Sequence, residues 1–209
     1  MDDLLRSRAR ACRADIASGA LRGGALLERL LSVPFVDRDV WVDELLALDP
    51  PPPDDPGLPR GAVPYLPCGV EEVLAFLRDA ALGAADELVD LGSGAGRVLL
   101  LAHLVSGARC RGIEIQQHLV ARARATAAAL GLGAVAFSHG DATAQPLDGS
   151  HFFLYAPCNG AMLARLLGRI EEVARRRPIV VATVGLELDE PWLVGRPSSS
   201  RALSLYRAR

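Results

Sequence analysis

Apolar residues in the second half of the chain fall into short runs separated by longer stretches of helical spacing. The short runs do not alternate apolar with polar positions, which is typical of strands buried on both faces of a parallel sheet. The predicted elements are, in order, strand 86–91, helix 95–106, strand 109–115, helix 117–131, strands 134–139 and 151–155, helix 160–176 and strand 178–184. This order predicts an α/β fold, a doubly wound sandwich with helices on both faces of a mostly parallel sheet.

The C-terminal end departs from this alternation. Residues 202–206 alternate apolar and polar positions, which predicts an antiparallel edge strand. Too few residues separate this segment from strand 178–184 for a long helix. We therefore predict a turn around residues 191–193 in its place.

The first part of the chain has a different pattern. Leucine and alanine recur at helical spacing over residues 2–31, and the glycines at 19 and 23–24 predict a break between two helices. A further helix is predicted from Val40, and it must end before the four prolines at 50–53. We predict three parts: an N-terminal helical region at 1–48, a stiff Pro-rich connector at 49–64 and an α/β core at 65–209. The helices are expected to act as a lid over the site, and the alternative is a helical hairpin that serves stability or dimerisation.

A glycine-spaced turn joins the first predicted strand to the first helix of the core. The turn reads Asp90-Leu91-Gly92-Ser93-Gly94-Ala95-Gly96, and it lets a backbone approach a nucleotide-like ligand at the end of a strand. The third glycine comes one residue too early for a dinucleotide fingerprint, and no G-K-[ST] of a P-loop follows. An acid at the strand end suits a ligand that carries an ammonium group.

Two further acids follow the next two strands. Glu114 ends the second strand, where a carboxylate accepts two hydrogen bonds from a ribose diol, and Asp141 follows the third. The D-x-G-x-G-x-G turn together with these acids resembles the class I S-adenosylmethionine (SAM) methyltransferases. That resemblance implies a Rossmann-like sandwich, SAM as cofactor and S-adenosylhomocysteine (SAH) as product. It also implies a cofactor site built from Tyr65, Asp90, Gly92, Ser93, Gly94, Gly96, Glu114, Ile115, Asp141, Ala142 and Tyr155.

A narrower resemblance concerns residues 64–74. A Pro-Tyr stretch followed by a helix, shortly before the glycine turn, is similar to the non-SET histone-lysine methyltransferases and the ATP-synthase c-subunit lysine methyltransferases. In that branch the segment closes over the methionine end of SAM, which implies this role for Tyr65. Cys68 departs from the branch, in which a threonine often follows the second proline.

The acceptor is expected to meet the methyl group beyond the fourth strand. Tyr155 and Asn159 are the candidate catalytic residues, because both donate and accept hydrogen bonds, and Asn159 also suits a helix N-cap. Ala-Pro-Cys-Asn at 156–159 lacks the leading amide and the aromatic residue of the enzymes that methylate nucleic-acid amines. We therefore expect a nitrogen or oxygen acceptor on a protein, with lysine as one candidate, or on a small molecule.

Composition narrows the function classes further. The chain has 209 residues and a net charge of −2, which does not favour nucleic acid as a partner. All of its basic residues except the histidines are arginines, so a lysine nucleophile is excluded. The four cysteines are scattered, and no metal site, disulfide framework, signal peptide or membrane span is predicted. We expect a cytoplasmic protein, and the sequence does not predict its oligomeric state. The protein is expected to be an enzyme, and the alternative is a SAM- or SAH-binding interaction protein that has lost catalysis.

Overall fold

A seven-stranded sheet forms the centre of the fold in the computed structural model, which describes residues 2–48, 50 and 53–209. The strands are β1 (Glu87–Leu91), β2 (Arg109–Glu114), β3 (Val135–His139), β4 (His151–Tyr155), β5 (Val180–Val184), β6 (Leu193–Arg196) and β7 (Leu203–Ala208). The helices are α1 (Asp3–Ala17), α2 (Gly23–Leu31), a 3-10 turn (Phe35–Asp37), α3 (Arg38–Leu46), α4 (Val70–Asp79), α5 (Arg97–Ser106), α6 (Gln117–Ala129) and α7 (Gly160–Ala174). Among the described residues, none of these helices combines the length and apolar character needed to cross a bilayer.

The strand order places a reversal of winding beside β1. The order across the sheet is β3-β2-β1-β4-β5-β7-β6, and β1 to β5 run parallel to one another. The chain moves outward from β1 to β3 and then returns to the other side of β1 as β4. In open α/β sheets, the crevice outside the carboxyl ends of the strands at such a reversal is where ligands bind. The topology therefore predicts a ligand site at the carboxyl ends of β1 and β4.

Both faces of the sheet are buried, as the apolar runs predicted. Along β4, Phe152 and Leu154 pack with α7, whereas Phe153 faces the opposite side with α4 and α5. The Phe153 ring meets Phe76 of α4 edge to face, with ring centroids 5.1 Å apart. Each such side chain contributes about 1.5–3 kcal/mol when it is fully buried. The predicted doubly wound α/β sandwich is confirmed.

The N-terminal helices pack on one face of this sandwich. The predicted glycine break is present, because α1 ends at Ala17 and α2 begins at Gly23. Helix α2 packs against α5 and α1 packs against α3. Their buried side chains, among them Leu26 and Trp41, belong to the same apolar cluster as those of α4 and α5. The N-terminal helices are thus held by the core of the sandwich.

The C-terminal end of the sheet contains one strand more than the pattern predicted. The antiparallel direction of β7 is confirmed, because β7 pairs antiparallel with β5. However, β7 lies between β5 and β6, so the edge position belongs to β6. The four residues of β6 include Gly195 and bury only Leu193, which is too short a pattern to recognise in the sequence. The turn predicted around 191–193 occupies 191–192 and leads directly into β6.

A buried histidine makes the stability of this fold depend on pH. His151 is 6% exposed at the start of β4, with its Nε2 atom 3.1 Å from the carbonyl oxygen of Ala80. Burial lowers the pKa of His151, although the Ala80 carbonyl and Asp86 oppose this. Because the unfolded chain then binds the proton more readily, His151 contributes stability above pH 6.5 that is lost as the pH falls.

Between pH 7 and pH 5 we expect the melting temperature of the wild type to shift downward relative to that of His151→Gln, which carries no titratable ring. Thermal unfolding followed by circular dichroism at several pH values measures both slopes. Equal slopes for the two proteins would contradict this account of His151.

Candidate functional site

A cavity of about 330 Å³ lies at the reversal point, outside the carboxyl ends of β1 to β4. Residues 113–116 and 140–143, which follow β2 and β3, line one end of it. Residues 155–158 line the other end, and Gly92 of the glycine turn lies between the two. Residues 62–66 complete the wall. The cavity thus gathers the three strand ends and the turn that the sequence singled out.

Tyr65 closes over the glycine turn. Gly94 has a φ of +52°, and a Cβ atom on it would lie 2.1 Å from the Cε2 atom of Tyr65. Only glycine therefore allows the ring to come this close to the turn. The backbone N–H of Tyr65 donates to Oδ1 of Asp54 at 2.8 Å, and burial raises the pKa of the Tyr65 hydroxyl. The ring is fixed from both sides.

The other residues of the turn face neighbouring segments. A Cβ atom on Gly92 would lie 2.6 Å from that of Pro157, so this glycine lets the loop after β4 approach the turn. A Cβ atom on Gly96 would lie 2.6 Å from the ring of Phe137. Gly96 makes room for packing between α5 and β3, and it is not among the residues that line the cavity. Ser93 is 7% exposed, and its hydroxyl has no hydrogen-bond partner within the described part of the chain.

Asp90 is a buried carboxyl that lacks a partner. It is 2% exposed and borders a narrow space of about 20 Å³ that Tyr65, Ser93 and Tyr155 also line. Burial, reinforced by the negative charge of Glu114, raises the pKa of Asp90 to about 8. No described residue supplies a hydrogen bond or a cation to this carboxyl. An ammonium group in the narrow space would favour the charged form.

Glu114 ties the end of β2 to the glycine turn. It is 6% exposed, and its Oε2 atom accepts a hydrogen bond from the N–H of Gly94 at 2.8 Å. Its Oε1 atom accepts from the N–H of Gln116 at 2.8 Å. Each carboxylate oxygen has a second lone pair, so hydroxyl groups in the cavity can still donate to both. Glu114 therefore has a structural function in addition to the predicted ribose contact.

The loop after β3 forms the end of the cavity next to Glu114. The N–H of Gly140 donates to the carbonyl oxygen of Glu114 at 2.9 Å, which holds the loop against the end of β2. The Oδ1 atom of Asp141 accepts from the N–H of Thr143 at 2.8 Å, and its second carboxylate oxygen is not used in this bond. The predicted residues that line this end are Glu114, Ile115, Asp141 and Ala142.

The structure separates the two candidate catalytic residues. Tyr155 lines the cavity, and burial raises the pKa of its hydroxyl. Asn159 occupies the N-cap position of α7, but its side chain is exposed and makes no capping hydrogen bond. Its backbone N–H donates to the carbonyl oxygen of Gly61 at 2.8 Å. Asn159 is thus placed outside the cavity lining, while Tyr155 lies at its wall.

Arg97 is a site residue that the sequence reasoning missed. It begins α5 directly after the glycine turn and is 6% exposed. Its guanidinium group donates to the carbonyl oxygen of Cys68 at 2.8 Å, to Asp39 at 2.9 Å and to Asp43. An arginine directly after the glycine turn, at the start of an apolar helix, could have indicated this role, because a buried charge requires polar partners. Arg97 fastens α3 and the segment before α4 to the glycine turn.

The segment 53–66, here named the strap, reaches the cavity with its residues 62–66, which line it. Within the described part of 2–48, no residue lines the cavity. Helices α1 to α3 lie beside the glycine turn instead, because α2 packs along α5 and α3 pairs with Arg97. The strap consists largely of the predicted Pro-rich connector. The division of the chain into parts at this connector stays a prediction.

Comparisons with known proteins are consistent with this geometry. Residues 88–175 match a family model described as a methyltransferase domain. A solved structure titled as an RNA methyltransferase from Salinibacter ruber in complex with S-adenosyl-L-homocysteine is 27% identical, with a TM-score of 0.52. The match covers 68% of this chain and 92% of that one.

A second solved structure, the putative methyltransferase yhhF from Escherichia coli, shares the fold with a TM-score of 0.55 and 21% identity. That match covers 72% of this chain and 90% of the other. No curated protein matches the chain.

Proposed function

We propose that this S-adenosylmethionine-dependent methyltransferase transfers the methyl group to a nitrogen or oxygen nucleophile beside Tyr155, and that the acceptor is a lysine side chain of a protein. The observation that carries the cofactor assignment is the unpartnered carboxyl of Asp90 between Tyr65 and the glycine turn. Asp90 borders the narrow space next to the cavity, and an ammonium group there would favour its charged form.

The cavity fits the remaining parts of SAM. Glu114 offers two carboxylate oxygens to a ribose diol. Beyond it, Asp141 offers a carboxylate oxygen to an adenine amino group, and the apolar side chain of Ile115 offers a surface to the ring. Asp90 would hold the ammonium group, with Tyr65 above the methionine moiety. SAM so placed would have its sulfonium centre directed toward Tyr155 and Pro157.

Bound SAM supplies an electrophilic methyl group on its sulfonium centre. The residues of this chain would hold the acceptor in line with the methyl group and exclude water from the site, as an in-line displacement requires. Burial raises the pKa of Tyr155, so its hydroxyl is neutral at neutral pH and does not act as a base. It would accept a hydrogen bond from the acceptor and direct the acceptor's lone pair at the methyl carbon.

Negative charge near Tyr155 favours a cationic acceptor. Glu72 acts electrostatically on Tyr155. Its carboxylate attracts a lysine side chain, which must lose a proton before it reacts. The protein-lysine branch suggested by residues 64–74 agrees with this. Nucleic acid remains disfavoured by the net charge of −2 and the Ala-Pro-Cys-Asn segment, although the Salinibacter ruber neighbour is titled an RNA methyltransferase.

A labelling experiment tests the acceptor class. The enzyme is incubated with radiolabelled SAM and cell extract in four forms: untreated, lysine-blocked by acetylation, RNase-treated, and passed through a filter that retains macromolecules. The enzyme contains no lysine, so it adds no lysine methylation of its own. We expect protein label that disappears after lysine blocking and survives RNase.

Two other results of the labelling experiment would support the alternative functions. Label confined to the filtrate would contradict a protein acceptor and indicate a small-molecule methyltransferase. SAM binding without transfer to any fraction would indicate a catalytically inactive interaction protein. A cytoplasmic location stays a prediction in each case.

Proton release on binding tests the role of Asp90. A carboxyl with a pKa of about 8 carries its proton at pH 7, and an ammonium group beside it displaces that proton. We therefore expect SAM binding at pH 7 to release close to one proton per site. Titration calorimetry in two buffers of different ionisation enthalpy measures this number. Equal binding heats in both buffers would contradict the role, and Asp90→Asn should give equal heats.

A further inference from the structure

The strap crosses the cavity and is fastened at both of its ends. Near its start, Gln116 donates from Nε2 to Oδ1 of Asp54 at 2.7 Å and accepts at Oε1 from the N–H of Asp55 at 2.9 Å. Near its end, the strap pairs with the loop after β4. There, Ala62 and Cys158 form an antiparallel bridge.

Gln116 connects the strap to the cofactor site itself. Its side chain is 2% exposed, and its backbone N–H donates to Glu114. The Asp54 oxygen that accepts from Gln116 also accepts from the N–H of Tyr65. One chain of hydrogen bonds therefore runs from the Gly94 N–H through Glu114, Gln116 and Asp54 to Tyr65.

The strap narrows the cavity beside the glycine turn. Residues 62–66 form one wall of the cavity, and the Tyr65 ring lies against the glycine turn. The cavity is partly open to solvent, so displacement of the strap would widen the path of a ligand to the turn. The prolines at 56, 59 and 64 restrict the backbone of the strap.

We propose that Gln116 is a positioning residue that fastens the strap beside the cavity, and that opening of the bonds from Gln116 to Asp54 and Asp55 accelerates the entry of SAM and the departure of SAH. This inference rests on the proposed function, because the ligand whose entry and departure Gln116 would control is the cofactor. Gln116 acts through the strap and Tyr65 and has no role in the methyl transfer itself.

Loss of the fastening should accelerate exchange in both directions. In Gln116→Ala the open form is more populated, so association and dissociation of radiolabelled SAM, followed by rapid filtration, should each rise on the order of tenfold. Gln117→Ala is the matched control, because Gln117 is the next residue and is exposed. A damaged site would show faster dissociation with unchanged or slower association.

A reversible lock at the other end of the strap tests which fastening controls exchange. The hydrogen bonds from Val63 to Pro157 and from Asn159 to Gly61 make Ala62 and Cys158 a non-hydrogen-bonded antiparallel pair. The Cα atoms of such pairs are ~4.5 Å apart, within the range of a disulfide. Ala62→Cys treated with diamide should therefore bond to Cys158, which is verified by mass and by thiol counting.

The disulfide holds the strap only at its Ala62 end, so the locked protein should exchange SAM at rates within about twofold of the wild type, and Gln116→Ala should still accelerate exchange in it. Ala62→Ser under the same treatment is the control. Exchange slowed by at least about tenfold in the locked protein, or unchanged association in Gln116→Ala, would overturn the inference alone. A folded wild-type protein that binds no SAM would overturn the proposed function as well.

Discussion

Replacing Glu114 by alanine is expected to weaken SAM binding by at least about tenfold, because charge-assisted hydrogen bonds of roughly 1.5–3 kcal/mol each are removed from the ribose. It should also lower the stability of the ligand-free protein. The N–H groups of Gly94 and Gln116 both donate to this carboxylate and would be left without an acceptor. Leaving a buried donor unpaired costs about 1–3 kcal/mol.

Titration calorimetry and thermal unfolding separate the two effects of Glu114→Ala. Glu172→Ala is the control, since that glutamate is exposed on α7 with a side chain 63% accessible. An unchanged dissociation constant would show that Glu114 holds only the protein backbone. An unchanged melting temperature would show instead that water replaces the carboxylate at both N–H groups.

Replacing Gly94 by alanine is expected to abolish most SAM binding, with a loss of at least about tenfold. The added Cβ atom would lie 2.1 Å from the Tyr65 ring, so the ring must leave the turn. The backbone is strained as well, because φ is +52°. Both the cover of the methionine moiety and the shape of the turn are lost.

Gly131→Ala is the matched control for Gly94→Ala. Gly131 has a φ of +65°, and a Cβ atom on it meets nothing within 4 Å. It therefore carries similar backbone strain without the collision, and its SAM affinity should stay within about twofold of the wild type. Calorimetric titration of both variants decides the matter. An equal loss of SAM affinity in Gly94→Ala and Gly131→Ala would show that backbone strain causes the loss and that contact with Tyr65 does not.

The strand ends were the part of the site that the sequence could predict. Asp90, Glu114 and Asp141 each follow an apolar run directly, and parallel strands bring their carboxyl ends to one edge of the sheet. A local pattern was therefore enough to bring Glu114 and Asp141 to the cavity and Asp90 to the narrow space beside it. The α/β sandwich followed from the same runs.

The fastenings of the site could not be predicted in this way. Arg97 binds Asp39 across 58 positions, and Gln116 binds Asp54 across 62. Such pairs are fixed by how α3 and the strap pack on the sheet, and no periodicity in the sequence records this. For the same reason the sequence could not show that residues 62–66 line the cavity, and the role of the N-terminal helices as a lid stays a prediction.

The most direct test of the central assignment is titration of the folded wild-type protein with SAM, SAH and NAD. We expect saturable binding of SAM and SAH at one site per chain, no binding of NAD, and a large loss of SAM affinity in Gly94→Ala. A folded protein that bound NAD and neither SAM nor SAH would contradict the account.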